Sequence, residues 1–162
     1  RWGARRHEEE VMAKKITMDD LRGMTVHQRY ALYKNACRLA HTPDGAALKQ
    51  LIEEAGLPFS EEAALRGDDP ITLKMHEIIW SPAGKQAAIA ATEAGEAAMA
   101  GIDPLLQAAL GSDYGPHNMG TNRAGVITGE LMQFLGYVRI AQIPLPSHCV
   151  AKSATSWKRR NT

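Results

Sequence analysis

Cysteine is scarce in this sequence: only Cys37 and Cys149 occur, more than a hundred positions apart. That number and spacing exclude a disulfide framework and a cysteine-based metal site. No run approaches the ~18 apolar residues that a membrane-spanning helix needs. The first ten residues are mostly charged and contain no apolar signal-peptide region. We therefore expect a cytoplasmic protein that does not contact a membrane.

Recognisable catalytic signatures are also lacking. The sequence contains no phosphate-binding G-x-x-x-x-G-K-[ST] loop, no H-E-x-x-H zinc motif, no G-x-S-x-G elbow and no dinucleotide-binding glycine fingerprint. The best-placed histidine, His117, stands in a turn-rich segment without an identifiable partner. These observations predict a non-enzymatic protein with no catalytic residues, no cofactor and no metal.

Aromatic residues make up only 6% of the 162 residues, whereas alanine is abundant, above all between Ala87 and Ala100. Small side chains favour close-packed helices over a β-sandwich. Apolar residues at 44% and charged residues at 23% are typical of a globular protein. The length suits one domain, or a core with a small appended module.

Helix-start signals punctuate the first two thirds of the chain. Thr25 and Gln28 have the spacing of a capping box, in which each side chain bonds the other residue's backbone N–H. Four further starts place a capping residue before a proline at the first helical position, where its missing N–H costs nothing. These are Thr42-Pro43, Asp69-Pro70, Ser81-Pro82 and Asp103-Pro104. Residues 25–111 are therefore predicted to form a helical array, preceded by a charged extension over residues 1–24.

The last third of the sequence has a different pattern of residues. Residues 112–120 are rich in turn formers, after which Thr121 can cap a helix running to Leu135 that Gly136 ends in the left-handed conformation. Residues 137–143 have the β-branched and aromatic composition of a strand, residues 144–147 form a turn, and a second strand is predicted between His148 and Trp157. The predicted fold is mainly α, with a winged-helix-like module that carries a two-stranded β-hairpin over residues 112–162.

Charge is distributed unevenly along the chain. Residues 1–52 hold ten Lys and Arg against six Asp and Glu, residues 53–113 hold three against eleven, and residues 114–162 hold six against one, Glu130. A basic end behind an acidic middle indicates an anionic partner at that end, unless the segments neutralise each other within one fold.

Short motifs near the C-terminus carry a resemblance. The stretch Leu105–Gly111, the segment Val126–Leu135, the run Leu135-Gly136-Tyr137-Val138-Arg139 and the run Ser156-Trp157-Lys158-Arg159 together resemble the C-terminal tail of phage and plasmid primase–helicases. The resemblance covers the last third of the chain and implies a winged helix that binds DNA in a phage or mobile-element replication or regulation system. The sequence departs from that family at residues 140–150, which carry no Lys or Arg, and in lacking the ATP-binding loop.

A recognition helix presents polar side chains near its start to the DNA major groove. Thr121, Asn122, Arg123 and Thr128 are predicted to do so, and the buried side is predicted to consist of Val126, Ile127, Leu131, Phe134 and Leu135. Phosphate contacts, which provide affinity without sequence information, are predicted for Arg139, Lys152, Lys158, Arg159 and Arg160. The partner predicted from these residues is DNA.

Two alternatives stay open. The chain could be a helical protein-interaction domain that uses a face carrying Tyr30 and Tyr33. Alternatively, the spacing of Arg22 and His27 resembles the Arg-x4-His signature of HEPN ribonucleases, which implies RNA cleavage by these two residues. In that family both residues lie on one helix, whereas Gly23 and the capping Thr25 separate them here.

Overall fold

The computed structural model describes residues 15–67, 69–115 and 120–160, and the side chains at positions 120 and 121 lie outside that description. The chain is mainly helical and ends in a two-stranded antiparallel sheet, which confirms the predicted fold class. The described residues divide into two compact units between Phe59 and Ser60. None of the helices in the described ranges is long and apolar enough to cross a membrane.

The described part of the first unit, residues 15–59, contains three helices. Their bounds are α1 Met18–Arg22, α2 Val26–Arg38 and α3 Pro43–Glu54. The predicted starts of α2, at the capping box of Thr25 and Gln28, and of α3, at Thr42-Pro43, are confirmed. Helix α1 lies inside the predicted charged extension, because Thr17 and Asp20 form a capping box of their own.

An arginine is buried in this unit beside the expected apolar side chains. Arg29 is 7% exposed, and its guanidinium donates to the carbonyl oxygens of Pro58 at 2.7 Å, Met24 at 2.6 Å and Leu21 at 3.1 Å. Burial lowers the pKa of Arg29. One side chain therefore ties the end of α1 and the chain after α3 to α2.

We expect Arg29→Ala to lower the free energy of unfolding of the first unit by about 2 kcal/mol, because three carbonyl groups lose a charged donor. Hydrogen exchange of the α2 amides, measured by mass spectrometry, reports this unit separately from the rest of the chain. Arg38→Ala, an exposed arginine at the other end of α2, is the control and is expected to change stability by less than about 0.5 kcal/mol. Equal effects of the two substitutions would contradict the role of Arg29.

The second unit contains the remaining helices and the hairpin. The helices are α4 Glu61–Arg66, α5 Pro70–Trp80, α6 Pro82–Glu93, α7 Ala98–Leu110 and α8 Gly120–Phe134, with a 3-10 turn at Gly111–Asp113. Asp69 and Ser81 cap α5 and α6 immediately before their prolines, as predicted.

The start predicted at Asp103-Pro104 is wrong, because α7 begins at Ala98 and carries Pro104 inside it. Helix α7 packs closely on α6: a side chain at Gly101 would come within 2.2 Å of the carbonyl oxygen of Ala87. Burial of Ala98 and Ile102 stabilises the preceding turn. Packing between helices therefore outweighs the local cost of the proline.

The hairpin follows α8 directly. Gly136 adopts a φ of +90°, which ends the helix as predicted, and β1 spans Tyr137–Pro144. Strand β2 spans Ser153–Arg159 and pairs antiparallel with β1. The second strand therefore exists as predicted but begins five residues later than His148. The reason is that the connecting turn bonds to α7, as described below.

Helix α8 buries one side against the rest of the unit. Ile127 and Leu131 are fully buried, as predicted, together with Ala124 and Met132. Val126 does not belong to this buried side, because it is 43% exposed. Trp157 of β2 lies over Gly129, where an added Cβ would be 3.7 Å from the indole ring.

Candidate nucleic-acid interface

A pocket of about 450 Å³ lies between the outer face of α8 and the hairpin. Helix α8 contributes Asn122, Gly125 and Thr128, and the strands contribute Arg139, Gln142 and Trp157. Val126 adds an exposed apolar side chain. This volume falls within the ~300–1,000 Å³ that is usual for sites binding small organic groups.

The lining of this pocket is mixed polar and apolar and carries one positive charge. Asn122, Gln142, Ser153 and Thr155 contribute amide and hydroxyl groups, Arg139 contributes a charge, and no Asp or Glu is among the described lining residues. A cation without a nearby carboxylate attracts anions. The pocket is therefore suited to a ligand that combines hydrogen-bonding groups with negative charge.

Glu130, the single acid among residues 114–162, contacts a different part of the unit. Its Oε1 accepts the backbone N–H of Glu61, at the start of α4, at 3.1 Å. Burial, with a smaller contribution from the charges of Glu61 and Glu62, raises the pKa of Glu130 to about 7. The one carboxylate of the basic segment therefore does not line the pocket.

Two arginines of the hairpin lie over aromatic rings. The Arg139 guanidinium is 5.8 Å from the centre of the Trp157 ring, and that of Arg159 is 5.8 Å from the centre of the Tyr137 ring. The register pairs Arg139 with Trp157 and Arg159 with Tyr137, so all four share one face of the hairpin. Stacking on a ring holds a guanidinium in place and leaves its other side accessible.

The remaining predicted phosphate contacts are exposed but divided in space. Lys158 pairs with Val138 and therefore faces away from Arg139 and Arg159. Lys152 lies at the end of the turn between the strands, and Arg160 follows β2. Within the described residues, none of the five cations Arg139, Lys152, Lys158, Arg159 and Arg160 forms an ion pair.

Two of the residues predicted to contact DNA from the recognition helix are bonded within the fold instead. Arg123 is bonded to Asp69 at 2.6 Å and to the Thr72 hydroxyl at 3.2 Å, with Glu62 at 3.8 Å, so its charge is already neutralised. Thr128 is 1% exposed and donates to the sulfur of Met99. The side chain of Thr121 lies outside the described residues. Asn122 is exposed and remains accessible to a ligand.

The turn between the strands is fixed to α7. Asp103, which is fully buried, accepts hydrogen bonds from the Tyr114 hydroxyl at 2.6 Å, from the Val150 N–H at 3.2 Å and from Gln107. Gln107 also donates to the carbonyl oxygen of His148 at 3.2 Å. The hairpin therefore lies against the unit as one side of the pocket and does not project from it.

The two alternative functions, RNA cleavage and protein interaction, depend on residues of the first unit. Arg22 ends α1 and pairs with Asp19, whereas His27 lies in the first turn of α2, so the two lie on different helices. Tyr33 donates to Glu53 at 2.6 Å, and its ring is 4.6 Å from that of Phe59, so Tyr33 is used within the first unit. His117 lies outside the described residues, and in the described ranges no His, Cys, Asp and Glu cluster could hold a metal ion.

No protein-family model, curated protein or solved structure matches the chain.

Proposed function

We propose that the chain binds nucleic acid, with DNA as the first candidate, at the pocket and through the exposed cations of the hairpin and of the residue that follows it. The observation that carries this proposal is the set of five exposed cations Arg139, Lys152, Lys158, Arg159 and Arg160, for which the described residues provide no ion pair, beside a pocket whose described lining contains no Asp or Glu. Lys and Arg contacts to phosphates supply most of the affinity of such proteins.

The binding residues proposed are Asn122, Arg139, Lys152, Lys158, Arg159 and Arg160. Arg123 and Thr128 are not included among the binding residues, because their polar groups already bond to Asp69 and Met99 and stabilise the fold. The order of α8, β1 and β2 is that of a winged helix, which supports the proposal. A place in a phage or mobile-element system stays a prediction from the resemblance.

We expect the intact chain to bind a labelled 20-mer DNA, and the triple variant Lys158→Gln, Arg159→Gln, Arg160→Gln to bind it about tenfold more weakly or worse. The slope of log Kd against log salt concentration is also expected to fall by about two to three, because three phosphate contacts are lost. Fluorescence anisotropy at several salt concentrations, with single-stranded and duplex forms of the 20-mer, measures both quantities.

The matched control removes the same charge from the first unit: Arg22→Gln, Lys34→Gln, Arg38→Gln. These three residues are exposed, and we expect the control to bind within about threefold of the intact chain. If both triple variants lose affinity equally, binding is a general effect of net charge and does not belong to the hairpin. If the intact chain binds neither form of DNA at low salt, the proposal is wrong.

A further inference from the structure

The outward face of α8 carries little that could read a duplex. Its pocket-lining positions are Asn122, Gly125, Val126, Thr128 and Gly129. Two of these are glycines, Val126 is apolar, and the hydroxyl of the buried Thr128 is bonded to Met99. Direct reading of the major groove requires side chains that reach the base edges. Among the described pocket-lining side chains of α8, Asn122 is the one with an exposed polar group that is not already bonded within the fold.

The same face is recessed. The hairpin stands beside it, with Trp157 over Gly129 and with Arg139 and Gln142 lining the opposite side of the pocket. The turn of the hairpin is held on α7 through Asp103. A helix enters the major groove as a protruding element, whereas this stretch of α8 forms one side of a pocket and can receive a group from the ligand.

We propose that this pocket receives an unstacked base of a single-stranded nucleic acid, an inference that rests on the proposed function. The pocket volume of about 450 Å³ fits one nucleotide-sized group. The guanidinium of Arg139, whose carbon lies over the Trp157 ring at 5.8 Å from its centre, supplies a planar cation against which a base can stack. Asn122, Gln142 and Thr155 can bond to base edges that a duplex would keep paired.

Two leucine substitutions on α8, one inside the pocket and one outside it, test this inference. Gly125 lies in the pocket within α8, and an added Cβ there meets nothing within 4 Å. Gly125→Leu therefore extends an apolar side chain into the pocket from a helical position with open space at its Cβ, and leucine favours helix more than glycine does. Gln133→Leu places the same side chain at an exposed position of α8 outside the pocket and is the control.

We expect the intact chain to bind single-stranded DNA about tenfold more tightly than the matched duplex at equal salt. Gly125→Leu is expected to remove that preference, and Gln133→Leu to retain it. Arg139→Gln is expected to weaken single-strand binding about tenfold, whereas Lys158→Gln, on the other face of the hairpin, weakens both forms by a similar, smaller factor.

The outcomes separate the two proposals. Tighter binding to duplex, or an unchanged preference in Gly125→Leu, overturns the single-strand inference and leaves nucleic-acid binding in place. Absence of binding to either form overturns both. Tryptophan fluorescence of each variant, which reports Trp80 and Trp157 in the second unit, checks that the fold is retained. If Arg139→Gln alters the fold, Asn122→Ala at an exposed position replaces it and is expected to weaken single-strand binding selectively.

Discussion

Asp103→Ala is expected to lower the free energy of unfolding of the second unit by about 4 kcal/mol. The carboxylate is fully buried and accepts from three donors, so its removal leaves the Tyr114 hydroxyl, the Gln107 amide and the Val150 N–H without their partner. An unsatisfied buried polar group costs about 1–3 kcal/mol. Urea denaturation followed by tryptophan fluorescence measures the change, since two of the three tryptophans of the sequence, Trp80 and Trp157, lie in this unit.

Tyr114→Phe is the graded comparison, because it removes one of these hydrogen bonds and keeps the ring in place. We expect it to cost about 1–2 kcal/mol, and the double variant to cost less than the sum, because the two residues share a bond. Hydrogen exchange at the Val150 amide is expected to accelerate in Asp103→Ala and much less in Tyr114→Phe. A loss below about 0.5 kcal/mol in Asp103→Ala would refute the idea that this carboxylate anchors the hairpin.

The same variant links the fold to the pocket. Release of the turn around Val150 frees the strand that carries Ser153, Thr155 and Trp157, all of which line the pocket. Without denaturant, and at a pH and temperature at which the Asp103→Ala variant remains folded, we therefore expect weaker single-strand binding. This is expected even though Asp103 itself does not line the pocket. Such a loss of affinity would show that the position of the hairpin matters for binding as well as its charge, because the substitution leaves the charges on β2 unchanged.

The starts of α2, α3, α5 and α6 could be predicted because their signals act within four residues. A Thr, Ser or Asp side chain caps the backbone N–H groups of the next turn, and a following proline fits the first helical position. Pro104 shows the limit of this reasoning. Helix α7 starts before Pro104, and its Gly101 packs against Ala87 of α6. This contact joins two helices, and no signal near Pro104 in the sequence predicts it.

The candidate site was predictable in its charge and not in its shape. Charge segregation alone located the cations of the hairpin. The pocket depends on strand register: a shift between Arg139 and Gln142 places Gln142 opposite Thr155 and leaves both beside Arg139. Arg123 and Arg139 look equivalent in the sequence, but only Arg123 meets Asp69, which lies 54 positions earlier. Such long-range pairing has no local signal.

We expect the second unit to lose about 3 kcal/mol of stability between pH 4.5 and pH 8 through Glu130 alone. Burial raises its pKa from 4.5 to about 7 in the folded chain. A group whose folded-state pKa is raised stabilises the fold fully below its unfolded pKa, and this contribution is lost as the pH rises through the folded pKa. One pKa unit corresponds to about 1.4 kcal/mol. Urea denaturation across this pH range measures the change.

Glu130→Gln isolates this contribution, because the amide keeps an oxygen that can accept the Glu61 N–H but carries no charge. The variant is expected to be more stable than the intact chain by about 3 kcal/mol at pH 8, and the difference should shrink steadily toward pH 5. Glu93→Gln, an exposed glutamate at the end of α6, removes the same charge without a buried group and should give a nearly pH-independent difference. A Glu130→Gln chain that is no more stable at pH 8 would show that the buried carboxylate is not a cost to the fold. Because Glu130 lies away from the pocket, the substitution should leave single-strand affinity within about threefold of the intact chain.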